Sequence, residues 1–362
     1  MKNLLVILIA LTASSAFATK ARNTALGNAL HLKGTQTVYG SPYHLMELNN
    51  FVAFETGKTT ATNKNDGAEG SVLMSTGENS KLLLSLGHQD ETAVDQRTAI
   101  NSAKTALGQP TYAIQQNPAE AIYAWKDGDN VWGLGTYYSN YNNKATGQKE
   151  SSAGVRLAAS YGAFKWKANI GLINSAVNAA GDQLNNDMFF NLGLRYGQGT
   201  LRYGLDFTTW NANETLAAAG NNYNHGKQIV NFRLVNIHKA EAGEVFYGAG
   251  LVQDIDKEKN ADVKTTTLKL PVIMGAEFKA TDWMQLRGSI VQDVIISQSK
   301  VDNGADIPAA ANTTVANAGV GLTWGKAQLD ATLGGLVGGN ANQKVDLAAN
   351  NFLAQVGLVY NY

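Results

Sequence analysis

Between residues 163 and 175, Phe164, Trp166, Ala168, Ile170 and Leu172 alternate with Lys165, Lys167, Asn169 and Gly171. A period of two sends successive side chains to opposite faces of an extended chain, so this pattern predicts a strand with one apolar and one polar face. Its length, about ten residues, is that of a tilted strand crossing a bilayer. The alternation recurs where Met188, Phe190, Leu192, Leu194 and Tyr196 interleave with Phe189, Asn191, Gly193 and Arg195. It recurs again where Leu201, Tyr203, Leu205 and Phe207 interleave with Arg202, Gly204 and Asp206. Only Gly197-Gln198-Gly199-Thr200 separates these two runs, which makes them a hairpin.

Further hairpins are predicted at 71–87 (turn 77–80), 120–140 (turn 127–130), 151–174 (around Gly162), 227–253 (around 240–243), 263–297 (around 280–282) and 315–337 (around Gly325 and Lys326). A strand near 45–55 opens the series and 351–362 closes it. Longer stretches rich in Asn, Ala, Gly and Asp lie between hairpins at 174–186, 211–226, 254–263, 298–314 and 338–350. Short turns thus alternate with long loops, as in outer-membrane barrels, whose short turns face the periplasm. The expected fold is all-β, a transmembrane antiparallel up-and-down β-barrel of about 16 strands, with about 14 as the alternative count.

Three segments stand outside this pattern. Lys2, an apolar run at 4–11 and the small-residue pattern Ala16-Phe17-Ala18 read as a secretory signal peptide over residues 1–18. Residues 19–44 lack alternation and are expected to form a periplasmic lead-in or a small plug, leaving 45–362 as the barrel. Residues 88–118 carry Val94, Ile100, Ala103 and Leu107 at near-helical spacing, which predicts a short helix in a long loop, either folded into the lumen or lying over the rim.

Energetics decide which face is which. A barrel of about eight strands fills its interior with side chains, whereas one of about 16 leaves an aqueous channel, so the apolar face points outward. Tyr161, Phe164, Tyr196, Tyr203, Phe278, Trp283 and Trp324 crowd the strand ends beside short turns, the place of an interfacial aromatic girdle. A Lys or Arg facing lipid at the bilayer midplane costs about 2–4 kcal/mol. Parity then places Lys126, Arg156, Lys165, Lys167, Arg195, Arg202, Arg233, Lys269 and Arg287 on the pore wall, against Glu120, Asp206, Glu244, Glu277, Asp293 and Asp330. An excess of basic residues there would favour anions; the alternative is a wall of mixed sign whose charges pair across strands. Inward glycines, among them Gly154, Gly171, Gly193, Gly204, Gly275 and Gly319, would widen the lumen or let the sheet curve.

Composition removes other classes. With no cysteine, disulfides and thiolate metal sites are excluded. With 29 basic and 29 acidic residues, the chain has no electrostatic footprint for nucleic acid. His31, His44, His88, His225 and His238 show no metal-ligand spacing, and there is no Gly-x-Ser-x-Gly elbow. No metal, cofactor or catalytic residue is therefore expected, and an enzyme is not.

The last strand carries Phe352, Ala354, Val356, Leu358, Tyr360 and Tyr362 on one face. It resembles the closing strand of Gram-negative outer-membrane proteins, and the resemblance implies that Phe352, Tyr360 and Tyr362 form the signal read by the barrel assembly machinery. Residues 21–29, Ala-Arg-Asn-Thr-Ala-Leu-Gly-Asn-Ala, followed by Ser41-Pro42-Tyr43, resemble the N-terminal hatch of the long-chain fatty acid transporter family. That family normally shows Asn-Pro-Ala where Ser41-Pro42-Tyr43 stands here. The barrel class implies outer-membrane lipid as a partner, with a homotrimer among the assemblies open to it. Passive diffusion of small hydrophilic solutes through a porin-like lumen is the leading expectation. A plugged transporter of hydrophobic molecules and a structural, non-channel barrel are the alternatives.

Overall fold

A computed structural model describes residues 19–57, 68–106, 108–186, 188–217, 223–258, 263–301, 312–337 and 355–362. The expected signal peptide, the loop 338–350 and Phe352 lie outside them. The first strands are β1 (Phe51–Gly57), β2 (Glu69–Gly77), β3 (Ser80–Leu86), β4 (Ala119–Asp127), β5 (Asn130–Asn142), β6 (Lys149–Tyr161), β7 (Phe164–Val177), β8 (Gln183–Asn186) and β9 (Phe189–Gln198). The series continues with β10 (Leu201–Thr215), β11 (Asn224–Ala240), β12 (Gly243–Glu258), β13 (Val263–Lys279), β14 (Met284–Val301), β15 (Thr313–Trp324), β16 (Ala327–Val337) and β17 (Gln355–Asn361).

Apart from β8 and β9, each strand pairs antiparallel with its sequence neighbours, and β1 pairs with both β2 and β17, which closes the sheet on itself. β8 and β9 both pair with β10, one after the other along its length, so they are two halves of one staved position. The barrel therefore has 16 staves. The hairpin turns fall where alternation and turn residues place them, including Asp127 to Asn130 and Tyr161 to Phe164. The opening strand starts later than the alternation near residue 45 predicts. Leu45 and Leu48 turn inward instead, packing on Phe51, Leu73 and Ile122.

The outer wall is apolar. Leu134, Leu194, Phe232, Met274 and Leu286 are all exposed, on positions alternating with buried ones. On β13 the outward apolar run extends from Leu270 to Phe278, a stretch of the length, about 9–11 residues, that a tilted strand uses to cross a bilayer. Tyr161, Tyr196, Trp283, Trp324 and Tyr360 are exposed at the short-turn end, where a ring can place its polar edge among headgroups. Bulges adjust parity locally: at Ala153/Gly154 the register shifts, Leu172 and Ile173 both face outward, and Asn174 is buried. A closed wall with an apolar exterior of this kind needs lipid around it, and the chain is a transmembrane antiparallel β-barrel.

The interior is occupied from both ends. Residues 19–50 form α1 (Lys20–Ala25), α2 (Thr37–Gly40) and a 3-10 helix (Pro42–Glu47). α1 packs on β14 to β17, and the 3-10 helix packs on β3 to β6 across the barrel. From the long-loop end, α3 (Glu91–Ala106) is folded into the lumen against β9 and β10. Of the two placements open to 88–118, the inward one is found.

Candidate functional site

α1 is short and would not hold as an isolated helix, so its position depends on its contacts. Thr19 caps it by accepting a hydrogen bond from the Arg22 amide at 3.1 Å, and its hydroxyl donates to Asp330 at 2.9 Å. Arg22 donates to Glu277 through Nε at 2.9 Å and Nη2 at 2.5 Å. Arg287 bridges Glu277 and Asp330, each at 2.5 Å, which ties β13, β14 and β16 together beneath α1. Truncating one member of such a buried network leaves its partner's charge uncompensated.

The inward glycines serve these contacts. A Cβ on Gly133 would stand 2.5 Å from Pro42, and one on Gly319 would stand 2.6 Å from Ala25. Gly171 and Gly275 lie beneath the inward rings of Phe189 and Phe246. The expectation that such glycines widen the lumen thus meets a different outcome: they seat the inserted segment and inward aromatic rings. Three apolar clusters complete the seating. One joins Val38, Leu45 and Leu48 to β1 to β4, a second joins Leu26, Ala29 and Leu32 to Val235, Ile237 and Phe246, and a third joins Ala93, Ile100 and Tyr112 of the α3 region to Phe189 and Trp210.

α3 is latched by buried charge. Arg97 and Glu150 pair at 3.2 Å with both side chains fully buried, and Arg97 also donates to Ser152 at 2.7 Å. Lys104 reaches Asp182 at 2.9 Å and Glu214 at 2.5 Å. The two inserts meet at mid-barrel, where Tyr39 stacks on His88 with ring centroids 3.5 Å apart. Beside them Arg156 pairs with Glu120 and, at 3.0 Å, with Asp90.

Between the N-terminal segment and the β6 to β13 wall lies a cavity of about 1270 Å³. It reaches the short turns at Gly162, Gly199 and Ala242 and ends against Asp90, Glu91 and Thr92 at the base of α3. Eleven Lys and Arg line it against five Asp and Glu, so its field is positive. Of the residues expected on the pore wall, Arg156, Lys165, Lys167, Arg195, Arg202 and Arg233 line this cavity. Asp206 is buried behind three of them. Lys126 is exposed beside the β4–β5 turn, Lys269 is half-buried, and Arg287 is buried under α1; none of these three lines the cavity. Arg202 sits at the short-turn rim, donating to the carbonyls of Gly199 and Leu201 at 2.8 Å.

Alternation along strands could not reveal the contributions of the inserts. Glu47 accepts Lys33 at 3.0 Å, His44 at 2.8 Å and, from the barrel wall, Lys165 at 3.0 Å. Burial alone would raise the Glu47 carboxyl, but the hydrogen bond from His44 and the charges of His44, Lys165 and Lys33 outweigh it and hold Glu47 well below the usual carboxylate range. Burial pushes the His44 imidazole down, against the opposing pull of Glu47. With His44 neutral, its hydrogen bond and the two lysines are what remain to hold Glu47 ionised. His31 reaches Glu244 at 2.9 Å. Of the C-terminal aromatic residues, Tyr360 and Tyr362 are half exposed on the outer wall, and the Tyr362 hydroxyl donates to the Leu73 carbonyl at 3.0 Å.

No family model matches the chain, and no curated protein matches it in sequence. Solved structures similar to it are bacterial barrels. CdiB from Acinetobacter baumannii is 10% identical with a TM-score of 0.45, covering 87% of this chain, which spans 60% of that protein's length. The CymD monoaromatic hydrocarbon channel is 10% identical at a TM-score of 0.42, with 97% and 99% of the two chains covered. A Pseudomonas aeruginosa FadL homologue is 9% identical at 0.40, with 94% and 97% covered. The likeness is one of barrel architecture.

Proposed function

We propose that this protein is a gated outer-membrane channel through which small hydrophilic solutes, preferentially anions, diffuse passively. The observation that carries the reading is the basic cavity, which reaches the short turns and ends against α3. A water-filled, positively lined space raises the local concentration of anions and lowers that of cations. The Arg97–Glu150 and Lys104–Glu214 latches make α3 the element whose displacement would extend the cavity toward the long loops.

The test is single-channel conductance of the refolded protein in a planar bilayer under a salt gradient. The intact chain is expected to give small, infrequent openings. Replacing residues 91–106 by a short Gly/Ser linker is expected to give persistent ohmic steps with a reversal potential favouring anions. A linker variant that folds yet stays silent, or one that favours cations, overturns the reading.

A second reading is favoured by the position of residues 19–50 inside the barrel, where the hatch-like sequence would act as the plug of a hydrophobic-molecule transporter. Its discriminating observation is saturable binding of a long-chain fatty acid that competes with the packing of Leu26 and Leu32.

A further inference from the structure

Positive charge in the cavity is unevenly compensated. Arg156 is neutralised by Glu120 and Asp90, and Lys165 shares Glu47 with Lys33, its ammonium also lying 5.0 Å from the Tyr43 ring centroid. Lys167, Arg195 and Arg233 share a single carboxylate. Asp206 lies 3.5 Å from Lys167 Nζ, 2.7 Å from Arg195 Nη2 and 2.8 Å from Arg233 Nη2. The three cations share one ion-paired anion, an excess of two positive charges within the cluster, with Glu91 of α3 the next carboxylate to act on Lys167; the three cations and Glu91, not Asp206, line the cavity.

Hydrogen-bonding capacity is left over at the same place. Arg233 Nε is buried without a hydrogen-bond partner. Lys167 approaches Asp206 at salt-bridge distance, with ammonium protons to spare. Partly desolvated cations with unfilled donors are costly unless an anion completes them.

We propose that Lys167, Arg195 and Arg233 form a binding subsite for a doubly charged oxyanion, the phosphate head of a small solute passing through the channel. The charge excess matches a phosphate monoester, which carries about −1.5 to −2 near neutral pH. Guanidinium forks suit its oxygens, and the ammonium adds a compact point charge. The cavity is far larger than a phosphate group, which leaves space for the remainder of the solute. The subsite rests on reading the cavity as a solute path.

Its test is a calorimetric titration of the refolded full chain in detergent micelles with inorganic phosphate, beside chloride at matched ionic strength. Saturable binding of phosphate and none of chloride is expected. Lys167→Gln and Arg233→Gln should each weaken phosphate binding tenfold or more, while Lys326→Ala, on the exposed β15–β16 turn outside the cavity, keeps the wild-type affinity. Absence of phosphate binding in the intact chain, or unchanged affinity in both glutamine variants, overturns the subsite. Because the titration involves no flux, a silent barrel that binds phosphate would remove the channel and keep the subsite. A conducting barrel that does not bind phosphate would do the reverse.

Discussion

Arg97 shows how much a single side chain can decide in this interior. It is fully buried on α3, and its charge is balanced by a carboxylate, Glu150, that is equally buried on β6. Breaking such a pair by removing one partner costs about 3–5 kcal/mol, because the remaining charge is stranded. Arg97→Met is therefore expected to undock α3 while leaving the barrel closed. Limited proteolysis should show faster cleavage within 91–106 with no loss of the compact form on unheated gels, and unchanged protection would show that Arg97 does not hold the helix. Gly133 makes the complementary point through space: a Cβ there would press on the backbone of Pro42 and Tyr43 as well as on the Pro42 ring. Gly133→Val should destabilise the seated N-terminal segment by about 1–3 kcal/mol, the usual cost of overpacking, read as increased hydrogen exchange across 37–48.

At the scale of elements, the N-terminal segment is held unequally along its length. Its first turn is fixed by the Arg22, Glu277, Arg287 and Asp330 network, whereas its far end meets the opposite wall through Glu47 and Lys165. The pH response follows from the far end. His44 is held below its ordinary value of about 6.5, so the seated state disfavours its protonation, and stability falls as pH drops through that value. Glu47 is held below its ordinary value of about 4.3, so its contribution is present above that pH and is lost as pH falls toward the folded value. Both signs predict loosening on acidification. Hydrogen exchange of residues 31–48, corrected for intrinsic rates, should rise from pH 7 to pH 4 while residues 19–26 stay protected. A flat profile would remove Glu47 and His44 as the determinants, and Glu47→Gln should abolish the change below about pH 4.3.

For the whole molecule, the apolar exterior and the filled interior are separable demands. Leu134 is 47% exposed on the outer wall of β5, where lipid surrounds it. Leu134→Arg should cost about 2–4 kcal/mol if it lies near the bilayer midplane, measured as a lower midpoint of urea unfolding in phospholipid vesicles. Removing α3 should scarcely alter that midpoint, since the ladder from β1 to β17 does not pass through it. Equal losses from both changes would show that the wall and its contents fold as one unit.

The alternation of Phe164, Trp166 and Ala168 with Lys165 and Lys167, and the short turns at 127–130 and 197–200, determined strands and faces and brought the stave count to about 16 or 14, because lipid on one side and lumen on the other impose a local, period-two code. The same code brought Lys167, Arg195, Asp206 and Arg233 to one wall. It could not show that the lumen is filled, since residues 19–44 and 91–106 carry no alternation and their positions depend on contacts such as Arg22 with Glu277 and Arg97 with Glu150. Nor could it separate Arg156, neutralised by Asp90 from an inserted loop, from Arg233, left with a free buried donor. Which lumen charges pair and which remain open depends on chains meeting across the barrel's width, and that was decided by the tertiary structure alone.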